Sequence, residues 1–375
     1  MSVVYLKKTT KPEEIFSLLE EMNPDLPSDH VFIKPNIVAP FDRTSGIVTD
    51  PEVVRGLIEY LRSRGIRNIT IGELPGLGVD TEHAFEVSGF RKLADEAKVN
   101  LVDLNKQEVI DVPWAWGIIK IPRIARESYY VNVAKLKTHM NTTVSLGLKN
   151  QKGLLSSSTK KLMHNEGLHN PLIELAKVER PNLTVIDGII GLEGDGPCSS
   201  GQRIKSDVLI ASSDILAADV TGCRVMGIDP LHVQHIRLAS EAGIGDIHPE
   251  VRGELLENVS IRFKRANERH RKIFRFTQWR NPRACSMCGS ELSAAIKRIA
   301  KTPRLAITIG PKFAYRFLFA GIDVVSGREA TVPGSHSGIL CLGNCTKELA
   351  ENNGYVWVTG CPPKMQDIID GFRRL

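Results

Sequence analysis

The sequence predicts an α/β protein: a mostly parallel sheet flanked by helices, followed by a smaller C-terminal α/β unit. Three observations lead there. Short apolar runs alternate with longer amphipathic stretches through the first part of the chain, a basic segment interrupts this rhythm near residue 270, and five of the seven cysteines lie beyond it among further short apolar runs. The expected boundaries are an α/β domain at 1–262, a basic linker at 263–283 and a cysteine-rich domain at 284–375.

Taken in order, residues 31–34 are the first apolar run. Residues 51–64 read as a helix, with Asp50 as N-cap, Pro51 in the first helical position, Glu52 as an early acid and Gly65 as the stop. A strand at 69–72, a helix over 82–98 and a strand at 101–104 continue a β-α-β-α rhythm. Strands are expected again at 129–133, 183–187 and 208–211, with helices at 171–178 and 214–226, whereas 114–126 fits neither pattern. In the tail, strands are expected at 305–309, 339–342 and 355–358, with a helix at 346–352.

At 375 residues and 42% apolar, the chain is long enough to bury two cores. It has no run of about 18 apolar residues and no signal-peptide pattern at its start, which predicts a cytoplasmic protein without a membrane span. Seven scattered cysteines fit a reducing compartment and metal or redox chemistry better than a disulfide framework. Cys285 and Cys288 form a C-x-x-C pair, which lets one turn supply two thiolates while distant loops complete the coordination. Cys341, Cys345 and Cys361 follow, and Pro362 directly after Cys361 is a feature of iron-sulfur loops. A four-cysteine zinc site is the alternative that the same C-x-x-C start permits.

Polar groups gather at the predicted strand ends, where open α/β sheets hold their ligands. Lys34-Pro35-Asn36 follows the first apolar run, and Lys135-Leu136-Lys137-Thr138-His139 follows the strand at 129, with Lys149-Asn150 close behind. So many cations repel one another unless an anion sits among them, so an anionic small molecule is the expected ligand, although an edge strand with solvent-facing lysines reads the same way. His139 and His164 are expected in one cleft as acid, base or metal ligand. From Asp187 to Pro197 the glycine density suggests an anion-binding nest, and Asp187, Glu193 and Asp195 serve as Mg2+ ligands or turn formers. Neither a dinucleotide fingerprint nor a P-loop is present. Cys223 reads as a buried small hydrophobe, and Cys198 as a candidate reactive thiol. The basic segment, Lys264 to Arg283, carries no nucleic-acid motif and points to an acidic partner such as a ferredoxin-like electron donor.

These ordered motifs resemble the domain-of-unknown-function family numbered 362, a family of uncharacterised iron-sulfur centre proteins. The resemblance spans about residues 31–245 and rests on Lys34-Pro35-Asn36, Thr49-Asp50-Pro51, Lys135 to His139, Leu148-Lys149-Asn150, Asp187-Gly188, Glu193 to Pro197, and Asp214 with Asp219. The chain lacks the ferredoxin-like cysteine run that many relatives carry. Its segments 339–345 and 358–363 look instead like the cluster loops of hydrogenase small subunits, which implies Cys345 and Cys361 as ligands and leaves Cys341 inside a strand as the spare thiol. The implied set, Cys285, Cys288, Cys345 and Cys361, closes one [4Fe-4S] cluster. The expected activity is that of an oxidoreductase relaying electrons through this cluster to an anionic molecule. Lys34, Asn36, Lys135, Lys149, Asn150, Asp187 and Glu193 would bind that molecule, and Lys137, His139 and His164 would act on it. The alternatives are a non-redox isomerase or lyase with a structural cluster or zinc, and a carrier of clusters or electrons to a partner protein.

Overall fold

The computed structural model describes every residue except 27–28, 267–275, 281–286, 328–329, 331 and 333–337. Residues 1–163 and 168–266 form one compact unit, and 164–167 with 267–375 form a second.

The strands of the first unit are β1 (Val3–Lys8), β2 (His30–Pro35), β3 (Asn68–Glu73), β4 (Asn100–Asp103), β5 (Val109–Trp114), β6 (Gly117–Pro122), β7 (Tyr129–His139), β8 (Thr143–Ser145), β9 (Leu183–Gly194), β10 (Gly201–Ser212) and β11 (Glu250–Gly253). Their order in the main sheet is β11-β1-β10-β9-β7-β2-β3-β4, with β8 paired to β7. The run from β9 to β4 is parallel, and β10 is antiparallel to both its neighbours. Helices cover both faces. Val31, Ile33, Val131 and Val133 pack with helix Pro51–Ser63 on one side, while Ala134, Leu136, Ile186 and Ile210 pack with helix Ile215–Val225 on the other. The fold is therefore the expected α/β sheet with flanking helices. From β2 the chain adds β3 and β4 in one direction, then crosses to place β7 and β9 on the other side of β2. The C-terminal ends of β2 and β7 are thus a topological switch point, where doubly wound sheets open a ligand crevice.

Several elements differ from expectation. The single helix over 82–98 is two, Thr81–Ser88 and Phe90–Ala97, because Gly89 between them adopts φ +86°. The polar run after residue 133 does not end its strand: β7 continues to His139, since the lysine heads find buried acceptors at the sheet's end. The glycine-rich stretch after Asp187 belongs to β9 and pairs with β10 as far as Gly194, so this stretch is ladder and not an open nest. Residues 114–126 supply the turn and second strand of the β5–β6 hairpin and most of a short helix, Arg123–Glu127.

In the second unit, β12 (Phe276–Arg280), β13 (Ile322–Ser326), β14 (Gly338–Leu342) and β15 (Val356–Val358) form a wholly parallel sheet in that order. Helices Met287–Lys301 and Met365–Arg374 share a core with Ile322, Val324, Leu340 and Leu342. Residues 305–309, expected as a strand, lie in helix Pro303–Ile309; a short apolar run carries no period that separates the two, and Pro303 at the first helical position favours the helix. Among the described residues, no helix is long and apolar enough to cross a membrane.

Candidate anion site and cysteine centre

At the switch point the side chains form one buried polar network. Lys34, fully buried near the end of β2, donates to Glu73 Oε2 at 2.8 Å, to the Pro35 carbonyl at 3.1 Å and to Asn150 Oδ1 at 3.4 Å. The same Asn150 oxygen accepts from Asn36 Nδ2 at 3.0 Å, and Asn150 Nδ2 donates to Asn132 Oδ1 at 2.8 Å. Burial lowers the Lys34 pKa while Glu73 opposes it. Gly153 closes over the pair, because a Cβ there would stand 2.1 Å from Glu73 Oε1 and 2.4 Å from Lys34 Nζ.

Lys135 is likewise committed, donating to Asp187 Oδ2 at 2.7 Å with both side chains buried. Asp187 also accepts from the backbone N–H of Asp50 at 2.8 Å and of Ile189 at 3.1 Å. Lys137 differs in that its acceptors are neutral: Asn36 Oδ1 at 2.6 Å and the Ile47 carbonyl at 2.8 Å. Burial brings its pKa down to about 8. Lys160 also rests on carbonyls, those of Leu74 and Pro75, at 2.6 and 2.8 Å. Half-buried Lys149 has the cations Lys137, Lys152 and Lys160 and the Cys198 thiol as its charged surroundings, and burial pushes its pKa well below the ordinary lysine range.

His139 ends β7, and its Nδ1 accepts the Asn141 N–H at 3.0 Å, so in the neutral ring Nε2 carries the proton. His169 bonds to the Asn141 backbone, and its ring centroid lies 5.7 Å from that of His235. His164 falls on helix Ser157–Asn165 and groups with the second unit. Among the described residues no acids gather as metal ligands, and Glu193 pairs with Lys264 at 3.1 Å and Asp187 with Lys135. Asp219 instead accepts the Gly147 and Leu148 N–H groups at the start of the turn that presents Lys149 and Asn150. Glu73, Asn132, Lys160 and His235 were not among the residues expected from sequence. Only a carboxylate at a strand end, where Glu73 stands, offered a signal.

In the second unit the cysteines follow the C-terminal ends of parallel strands. Cys345 comes three residues after β14, Cys361 three after β15, and Cys288 lies in the first turn of helix Met287–Lys301. Cys285, between β12 and that helix, lies outside the described residues. Gly343, at φ +87°, leaves a notch: a Cβ there would stand 3.1 Å from Cys288 Sγ and 3.7 Å from Cys345 Sγ. The Cys345 and Cys361 loops are stitched together by Asn344, whose N–H donates to the Gly360 carbonyl at 2.9 Å and whose Oδ1 accepts the Gly360 N–H at 2.8 Å. Cys341 is buried in β14, and burial pushes its thiol up to about 11, away from the thiolate form that metals bind. Among the described residues no group of three or more histidine, cysteine or acidic side chains stands close enough to hold a metal ion.

A family model described as domain of unknown function DUF362 matches residues 31–224, more than half of the chain. The chain belongs to the DUF362 family. The matched region holds Lys34, Glu73, Lys137, Asn150 and Asp187, so the switch-point network lies inside the DUF362 segment, whereas the four cysteines lie beyond it. A thylakoid-associated protein of Synechocystis sp. is 25% identical to this DUF362 protein over 232 residues, covering 60% of this chain and 71% of the relative. A crystal structure of a Thermotoga maritima protein aligns with 85% of this chain and 72% of that one, at 12% identity and a TM-score of 0.42.

Proposed function

We propose that this DUF362 protein is an iron-sulfur oxidoreductase of the cytoplasm, with one [4Fe-4S] cluster on Cys285, Cys288, Cys345 and Cys361 and an anionic small molecule bound at the switch point of the first unit. The observation that carries the reading is the notch at Gly343, where a thiol from a helix start, Cys288, and one from the loop after β14, Cys345, both approach a residue that has no side chain. The donor set is soft and all-thiolate, which suits iron-sulfur or zinc, and Pro362 after Cys361 favours iron-sulfur.

When bound, such a cluster supplies single electrons at a potential tuned by burial and by hydrogen bonds to its sulfurs. The chain's own residues do the rest. Lys137 and Lys149 hold the negative charge of the ligand, while Glu73 and Asp187 keep Lys34 and Lys135 in place as framework. His139 offers a hydrogen bond from its Nε2–H, with its tautomer set by the Asn141 amide. The basic segment that begins at Lys264 suits an acidic donor protein. Iron and sulfide analysis of protein purified without oxygen, joined to electron paramagnetic resonance before and after dithionite, tests the reading. About four irons and four sulfides with a signal on reduction are expected; one zinc without iron would make the cysteine centre structural.

A further inference from the structure

The cations at the switch point are not equal in what they leave for a ligand. Glu73 neutralises Lys34 and Asp187 neutralises Lys135, so these two act as scaffold. The ammonium groups of Lys137 and Lys160 rest on amide and backbone oxygens, and the charges felt at Lys149 are mainly cationic, those of Lys152, Lys137 and Lys160, with Cys198 opposing. Like charges gathered in a largely buried place cost free energy unless an anion enters, and one negative charge among them does not balance the excess.

Beside this group lie polar atoms with no partner among the described residues. His235 is fully buried and neither ring nitrogen is bonded, although its ring lies 5.7 Å from that of His169, tilted by 31°, and feels the charge of Lys149. Gln151, two residues after Lys149, is also fully buried with both ends of its amide unpartnered. Buried groups of this kind take their partners from water, an ion or a further molecule.

We propose that the ligand of the first unit is a small oxyanion carrying two or more negative charges, a phosphoryl group or a dicarboxylate, seated on Lys137 and Lys149 with His235 as a further donor. The proposal rests on the anionic-ligand reading above and specifies its charge and its seat. Lys34, Lys135 and their carboxylates shape the site without touching the ligand.

Calorimetric titration of the full chain, with its metal content retained, against inorganic pyrophosphate, malonate and acetate tests this. At least one of the two dianion-class probes binds, and the stronger of them names the source, phosphoryl or dicarboxylate. Acetate binds about tenfold more weakly or not at all, and K149M weakens the dianion about tenfold or more while K149R retains most of the affinity. If K149M does not fold, H169N at the half-buried partner of His235 carries the same expectation of weakened binding. Acetate binding as tightly as the dianions, neither dianion binding, or unchanged affinity in the folded variant would overturn the proposal. Pyrophosphate binding by protein that contains no iron would sink the cluster while leaving this site standing; an iron-loaded protein that ignores every dianion would do the reverse.

Discussion

Lys34 and Lys137 stand at the ends of neighbouring strands and do different work because of what faces them. Lys34 meets a buried carboxylate, so Lys34→Met leaves Glu73 charged and uncompensated. A loss of about 3–5 kcal/mol is expected in urea unfolding, largely recovered when Glu73→Leu is added. Lys137 meets neutral oxygens, and its pKa falls from 10.5 to about 8, mainly through burial, with Lys135 and Lys34 lowering it and Cys198 and Glu73 opposing. Without ligand the folded chain therefore binds fewer protons than the unfolded chain between about 8 and 10.5, and this residue's contribution to stability rises with pH across that window. Dianion affinity moves the other way: deprotonation of Lys137 near pH 8 removes one of its charges, so affinity falls as pH rises through that range, as calorimetry at stepped pH will show. The sequence displays both lysines, but not their partners. Glu73 lies 39 residues from Lys34 and Asp187 lies 52 from Lys135, and no local pattern pairs residues so far apart.

Elements were legible where a local signal was complete. Asp50, Pro51 and Glu52 announce the helix Pro51–Ser63, and Asp50 Oδ1 accepts the Glu52 N–H at 3.0 Å as an N-cap should. Two strands ran longer than their apolar runs. β7 crosses Lys135 and Lys137, and β9 crosses its glycines, because neighbouring strands supply hydrogen bonds that no propensity records. In the second unit the glycines divide by surroundings. Gly343→Ala pushes a methyl group onto Cys288 Sγ and strains φ +87°, so retention of the proposed cluster should be lost. Gly354→Ala, at φ +66° with nothing within 4 Å, should cost only about 1 kcal/mol and keep the metal. Metal analysis and thermal melting of the two variants separate a filled notch from backbone strain alone.

On the scale of the whole molecule, two units with separate cores imply two unfolding events. Differential scanning calorimetry should resolve them. If the cysteines hold the proposed cluster, removing it without oxygen lowers one transition, assigned to the cysteine unit, and whichever dianion probe binds raises the other, by about 2.7 kcal/mol in stability at a hundred times its Kd. A single transition that moves as a whole under both treatments would show that the units unfold as one.

From its own pattern the sequence determined the α/β class, the capped helices, the lysine and asparagine motifs at the strand ends and the spacing of the cysteines, because periodicity, capping and turn chemistry act over a few residues. Only the tertiary structure decided which lysines are neutralised, that β2 and β7 meet at the switch point, and that Gly343 stands between two thiols. Charge pairing, strand order and close approach are set by residues far apart in the chain, and they exist only once the sheet has brought those residues together.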